Sequence, residues 1–127
     1  MTFDYFYNAP TSAVLFYRLP RAFFTTPPYR DLSLGAKTVY MFLLDRLEDT
    51  TDSDNRRDER GKVYIVFPVD EVSERLKVSK KTACKYMAEL DAKNGVGLIE
   101  RVRVGLGHAD RIYVLVNLLN EHKAPCT

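Results

Sequence analysis

Between Lys77 and Arg111 the chain gathers side chains suited to one kind of chemistry, the neutralisation of phosphate charge. Eight are basic (Lys77, Lys80, Lys81, Lys85, Lys93, Arg101, Arg103 and Arg111) against four acids (Glu89, Asp91, Glu100 and Asp110). The stretch therefore carries +4, whereas the whole chain carries +2 and the remainder −2. Lysines are mobile point charges that suit phosphate better than base edges. Ser79 and Thr82 add short hydroxyls able to reach a phosphate or a base. His108 lies in a Gly-rich turn, where it could touch a phosphate or the minor groove or stand inert in solvent. A merely solvated lysine-rich helix face would have a similar composition.

Groups for bond-making chemistry form no recognisable pattern. No Walker A sequence occurs, and Gly105-Leu106-Gly107 falls between two predicted strands rather than between a strand and a helix. His108 and His122 have no carboxylate or cysteine at motif spacing, and Cys84 and Cys126 form no CxxC pair. The acids at 48–59 read as a solvated loop. The expectation is no enzyme, no metal and no cofactor.

The elements that carry the basic residues give them a purpose. PVDEVSERL (68–76) predicts a short helix with Val69, Val72 and Leu76 on one face and Asp70 and Glu71 in its first turn, where they complement the helix dipole. Lys77-Val78-Ser79 reads as a three-residue turn, with Ser79 placed to cap the next helix. In KKTACKYMAEL, Ala83, Met87 and Leu90 share an inward face, and Lys80, Lys81, Cys84, Lys85 and Ala88 lie opposite. Two alternating strands follow, LIERVRV and RIYVLV, around GLGHAD. Arg101 and Arg103 fall on one face of the first strand and Val102 and Val104 on the other.

Helix, tight turn, helix and β-hairpin in that order is the layout of a winged helix-turn-helix. The fold class is thus α+β, with a small antiparallel sheet. Such a module lays its second helix in the DNA major groove and its wing on a flank, so the expected partner is double-stranded DNA. The predicted recognition helix holds no Arg, Asn or Gln, the side chains that make the most discriminating base contacts. Sequence preference would then come partly from the wing or from DNA shape.

Upstream, Leu32–Asp49 predicts another helix, with Ser33 as N-cap and Ala36, Val39, Tyr40, Leu43, Leu44 and Leu47 along one buried face. TTDSDNRRDERG (50–61) has no apolar residue and predicts an exposed, mobile loop. KVYIVF (62–67) predicts a strand that pairs with the wing and completes a three-stranded sheet. Residues 1–30 hold nine of the fifteen aromatics, broken by Pro10, Pro20, Pro27 and Pro28. They read as an arm, with SAVLFYRL as a strand and RAFF as a helical turn. Phe16, Phe23 and Phe24 could instead cap the core.

FYRLPRAFF, LSLGAKTVYMFLLDRL and GLIERVRVGLGHADRIYV together resemble the N-terminal domain of plasmid replication initiator protein A, over about residues 14–117. That family serves theta-replicating plasmids of low-GC Gram-positive bacteria. The resemblance implies binding to direct repeats (iterons) at the plasmid origin, recruitment of host replication proteins and limitation of copy number by pairing of origins. Carried over by motif position, DNA contact falls to Lys77, Ser79, Lys80, Lys81, Thr82, Lys85, Arg101, Arg103, His108 and Arg111. The family is also similar in fold to DnaD-type primosome proteins.

The expected organisation is an arm at 1–30, a winged-helix domain at 31–117, and at 118–127 the start of a linker to a missing C-terminal domain that would meet the host proteins. Repeated sites need a multimer, and Phe3, Tyr5, Phe6, Tyr7, Phe16 and Tyr17 are the candidate dimerisation residues, since aromatics are enriched at interface centres. No apolar run approaches the roughly 20 residues that span a bilayer, and MTFDYFYNAP lacks a signal-peptide pattern, so a cytoplasmic protein without membrane contact is expected. A dimeric winged-helix transcription regulator and a DnaD-like protein-interaction module remain the alternatives.

Overall fold

A computed structural model describes residues 17–49 and 56–115. In chain order these form α1 (Ala22–Thr25), a 3-10 turn (Tyr29–Asp31), α2 (Leu34–Asp49), α3 (Val69–Leu76), α4 (Lys80–Leu90), β1 (Ile99–Val102) and β2 (Arg111–Val114). The architecture is a winged helix, α+β, with helices packed on one small antiparallel sheet.

Helix α2 forms where the apolar spacing is helical and a cap is available. The Ala36 amide donates to Ser33 Oγ at 3.1 Å, which closes the first turn. Ala36, Val39, Tyr40 and Leu43 are fully buried along its length. Phe23 from α1, Ile65, Val72, Ala83, Met87, Leu90, Leu98, Ile99 and Ile112 complete a single core. The helical turn predicted at RAFF is therefore present and Phe23 caps the core, whereas Phe24 is exposed beneath the Lys37 ammonium.

In the sheet, Ile99 lies opposite Val114 and Val102 opposite Arg111. The expected third strand is reduced to one bridge. Ile65 and Ile112 exchange both backbone hydrogen bonds at 2.9 Å, and 62–67 pairs with β2 nowhere else. The rest of that segment folds back on residues before it. Arg57 bridges Val63, and the Tyr64 amide donates to the Arg56 carbonyl at 3.1 Å. Residues 56–64 thus form a hairpin: 56–61 belong to the expected mobile loop at 50–61, and 62–64 to the expected strand at 62–67. Composition misses the cause, which is the Asp58 carboxylate. It accepts from the Arg60 and Lys62 amides at 2.9 Å each, and from the Tyr113 hydroxyl on β2 at 2.9 Å. Of the predicted SAVLFYRL strand only residues 17–19 are described, and they form no strand. Phe3, Tyr5, Phe6, Tyr7 and Phe16 lie outside the described residues.

The last two turns of α4 are locked to the first turn of α2. Glu89 accepts from the Ser33 amide at 2.9 Å and from the Ser33 hydroxyl at 2.7 Å. Beside it the Tyr86 ring lies flat on Gly35, where a β-carbon would fall 2.1 Å from a ring atom. Helix propensity favours alanine over glycine by about 1 kcal/mol, but overpacking costs about 1–3 kcal/mol. Gly35→Ala is accordingly expected to lower the urea midpoint, and Tyr86→Ala in the same background to recover part of the loss.

Tyr40 supplies a second test. Its ring is fully buried and its hydroxyl has no hydrogen-bond partner among the described residues. Burial, with Tyr29 close by, pushes the phenol from 10.0 up to about 12. A folded-state value above the unfolded one means stability is complete below pH 10 and is lost as pH rises from about 10 through about 12. Tyr40→Phe is expected to remove that alkaline loss in pH-dependent melts. At neutral pH it should be neutral or stabilising by about 1 kcal/mol, since it deletes an unsatisfied polar group.

Candidate nucleic-acid interface

The turn between α3 and α4 is set by three local devices. Lys77 adopts the left-handed conformation (φ 56°) that ends α3. Ser73 Oγ donates to the Val78 carbonyl at 2.6 Å, and Val78 packs against the core. Ser79 Oγ then accepts from the Thr82 amide at 3.1 Å, capping α4 as the spacing predicts. The Ser79 and Thr82 hydroxyls also bond to each other at 3.0 Å. Both side chains therefore already have work at the helix start.

With Ala83, Met87 and Leu90 buried, α4 turns Lys80, Lys81, Cys84 and Lys85 outward, as the helical spacing requires. Lys80 pairs with Asp70 on α3 at 3.2 Å, but both side chains are largely exposed and the pair is worth little. Lys77, Lys81 and Lys85 are exposed and make no ion pair among the described residues. This face is where the structure gathers the predicted phosphate ligands most closely.

The wing arginines are not equivalent. Arg101 faces inward on the side of β1 that also carries Ile99, and it grips Asp91 through Nε at 2.8 Å and Nη2 at 2.7 Å. Asp91 follows the last residue of α4 and is only 5% exposed. Its second oxygen accepts from the Lys93 amide at 3.2 Å. Arg101 is thus a strut between recognition helix and wing. Arg111 stacks on Tyr64 at 4.6 Å and sits 3.9 Å from Glu59. Arg103 and His108 are exposed in and beside the wing turn, and the Gly105 and Gly107 backbones (φ 143° and 79°) make that turn possible. Tyr17, assigned to dimerisation, packs edge-on against Phe42 at 5.4 Å and remains half exposed.

Two residues that organise this face were not among the predicted ones. Glu89 and Asp91 lie at the C-terminal end of α4, where an acid opposes the helix dipole. An acid in that position signals a partner elsewhere, here Ser33 and Arg101. Beside the wing, desolvation works to raise the Asp58 carboxyl, but the Lys62 and Arg60 amides and the Tyr113 hydroxyl bonded to it prevail and hold it below the ordinary carboxylate value. Burial pushes the Tyr113 phenol up, and its hydroxyl donates to Asp58.

Residues 15–125 match the family described as the N-terminus of replication initiator protein A (RepA). The chain belongs to that family. The fold is similar to a solved N-terminal domain of a DNA-binding protein, with 29% identity, TM-score 0.67 and coverage of 90% of this chain and 84% of the other. It is similar to a Rep–DNA complex (31% identity, TM-score 0.65, 80% and 75% covered) and to an MDR initiator (35%, 0.64, 80% and 76%). A curated 41 kDa protein of Lactobacillus helveticus is 29% identical over 110 residues. The match covers 82% of this chain and spans 30% of that relative's length.

For this RepA-type domain the strut and the exposed arginine should separate experimentally. Arg101→Leu leaves the buried Asp91 carboxylate unpaired and is expected to cost about 3 kcal/mol in urea unfolding. Arg103→Gln, at an exposed site, should stay within about 0.5 kcal/mol of the parent.

Proposed function

We propose that this chain is the origin-binding domain of a plasmid replication initiator, which recognises direct repeats in double-stranded DNA through α4 and the wing. The observation that carries this reading is the outward face of α4. Lys80, Lys81 and Lys85 stand there on a helix whose opposite side is welded to the core, directly after a capped helix-turn-helix turn. Lys77 and Arg103 extend the same positive character to the turn and the wing. Membership of the RepA N-terminal family and likeness to a Rep–DNA complex support it.

The mechanism is binding without bond chemistry. Lysines neutralise phosphates and release counterions, the helix is held in the major groove, and the wing fixes the register on the flank. The domain acts without a cofactor and is not itself an enzyme. Copies bound at successive repeats would pair through the aromatic arm, with Phe3, Tyr5, Phe6, Tyr7, Phe16 and Tyr17 in that role. The further length present in the Lactobacillus helveticus relative leaves room for a second domain that meets host replication proteins. No helix among the described residues is long and apolar enough to cross a membrane.

The test is binding to an array of direct repeats cut from the DNA that encodes this chain, against scrambled DNA, across a salt series. Repeat-specific binding that weakens with salt is expected. Lys80→Ala/Lys85→Ala should lower the slope of log affinity against log salt by roughly 1.8, since each phosphate contact contributes about 0.9. Equal affinity for scrambled DNA would reduce the domain to a non-specific basic module. Binding to neither would favour a protein-interaction module.

A further inference from the structure

The hairpin at 56–64 is the element whose behaviour departs most from its sequence, and the proposed DNA-binding face leaves it unused. Of its charged residues, Arg56, Arg57, Glu59, Arg60 and Lys62 are exposed. Of its two acids, Asp58 is turned to internal use and Glu59 stays exposed beside Arg111. Asp58 is occupied by the Arg60 and Lys62 amides and the Tyr113 hydroxyl, and Glu59 lies 3.9 Å from Arg111. Arg57, Arg60 and Lys62 are exposed to solvent. Arg57 also donates to the Gly61 carbonyl at 2.9 Å, which stiffens the tip.

The hairpin is also fastened to the wing. Tyr113 and Arg111 project from the same face of β2, and each holds it: Tyr113 through Asp58, and Arg111 through its stacking on Tyr64 and its approach to Glu59. The Tyr64 and Tyr113 rings meet at 6.1 Å, and the Lys62 ammonium sits 5.9 Å from the Tyr113 ring centre. Such fixing favours binding, because ordering a polar segment on contact would cost about 1–2 kcal/mol per residue. Here that ordering is already done in the free protein.

We propose that this clamped hairpin is a second phosphate-binding element, in which Arg57, Arg60 and Lys62 contact the duplex backbone outside the segment held by α4 and the wing turn. The occupant is double-stranded DNA because the surface is cationic, held by these contacts and continuous with the wing, and among the described residues 56–64 no large apolar side chain is exposed to meet a protein partner. Asp58 and Tyr113 are positioning residues, acting on DNA only through the hairpin they hold. The inference rests on the DNA-binding reading above.

The experiment compares the full chain on two duplexes, one carrying a single direct repeat alone and one with about ten further base pairs, one helical turn, on each side. Arg60→Gln/Lys62→Gln is expected to lower the salt slope on the long duplex by roughly 1.8, at about 0.9 per phosphate, and to leave the short duplex unchanged. Tyr113→Phe alters no charge, so a purely structural hydroxyl would leave the difference between duplexes intact. It is expected to reduce that difference, with the urea midpoint measured alongside. Asp58→Asn removes one negative charge and so raises the net charge by one. Diffuse attraction would tighten its binding, whereas loss of the clamp should weaken it on the long duplex only. Equal affinity of the Arg60/Lys62 variant and the parent on the long duplex would overturn the proposal, as would equal losses on both lengths. If Lys80→Ala/Lys85→Ala still weakened both, the recognition-helix reading would stand and this one alone would fall. A parent chain that binds neither duplex would remove both.

Discussion

The placement of α4 depends on its junction with the start of α2. A recognition helix is useful only if its outward face is held at a fixed angle, and α4 has only eleven residues with which to secure itself. Its buried side chains supply area but little direction, because apolar contact is non-directional. Direction comes from Glu89, whose two oxygens both bond to Ser33, and from the Tyr86 ring seated on the bare backbone of Gly35. The same serine caps α2. One residue therefore starts the first long helix and anchors the last, and the two helices cannot rotate independently.

Acids play a consistent part in this molecule. Glu89, Asp91 and Asp58 each sit inside a structural joint, and Glu71 is shared by Arg46 and Arg75 between α2 and α3. Those two guanidiniums also lie over Phe67, with Arg75 over Phe42 as well, so the joint is apolar on one side and ionic on the other. The consequence reaches the surface. An acid bonded inward contributes less to the outward field than one standing free among the lysines. Asp91 takes Arg101 inward with it, so that pair cancels, and Glu89, bonded to Ser33, is the acid drawn away from the lysines of α4.

Much of this was legible in the sequence, for reasons that can be named. The order helix, turn, helix, hairpin could be read because each boundary carries its own chemistry: Ser33 and Ser79 as caps, and Gly105 and Gly107 in the wing turn. The buried face of α4 followed from the spacing of Ala83, Met87 and Leu90. What could not be read were the partners of charged residues. Arg101 and Arg103 are chemically identical and two positions apart, yet only Arg101 points at Asp91. Periodicity places both on one face; the point where β1 ends, after Val102, separates their surroundings. The hairpin at 56–64 was missed for a related reason. The composition of 50–61 shows no apolar residue, but the Asp58 carboxylate with its three donors, and the Tyr64 ring between Arg111 and Tyr113, order the hairpin from partners that lie mostly outside that stretch.

The internal commitments of the interface bear on how it can discriminate between sequences. On the proposed reading, the groups on α4 nearest the DNA are lysines, whose contacts position the protein without identifying bases. The Ser79 and Thr82 hydroxyls, the short polar groups at the helix start, already bond to each other and to the helix cap. A base contact by either would compete with the turn that presents it. Discrimination then shifts to the spacing between α4 and the wing, which Arg101 and Asp91 hold, and to the local shape of the duplex that this spacing accepts. A single domain reading shape in this way discriminates weakly. Several copies joined in register multiply their preferences, because each added binding event becomes effectively intramolecular. On the proposed reading, repeated sites and a weakly reading helix are therefore two sides of one constraint.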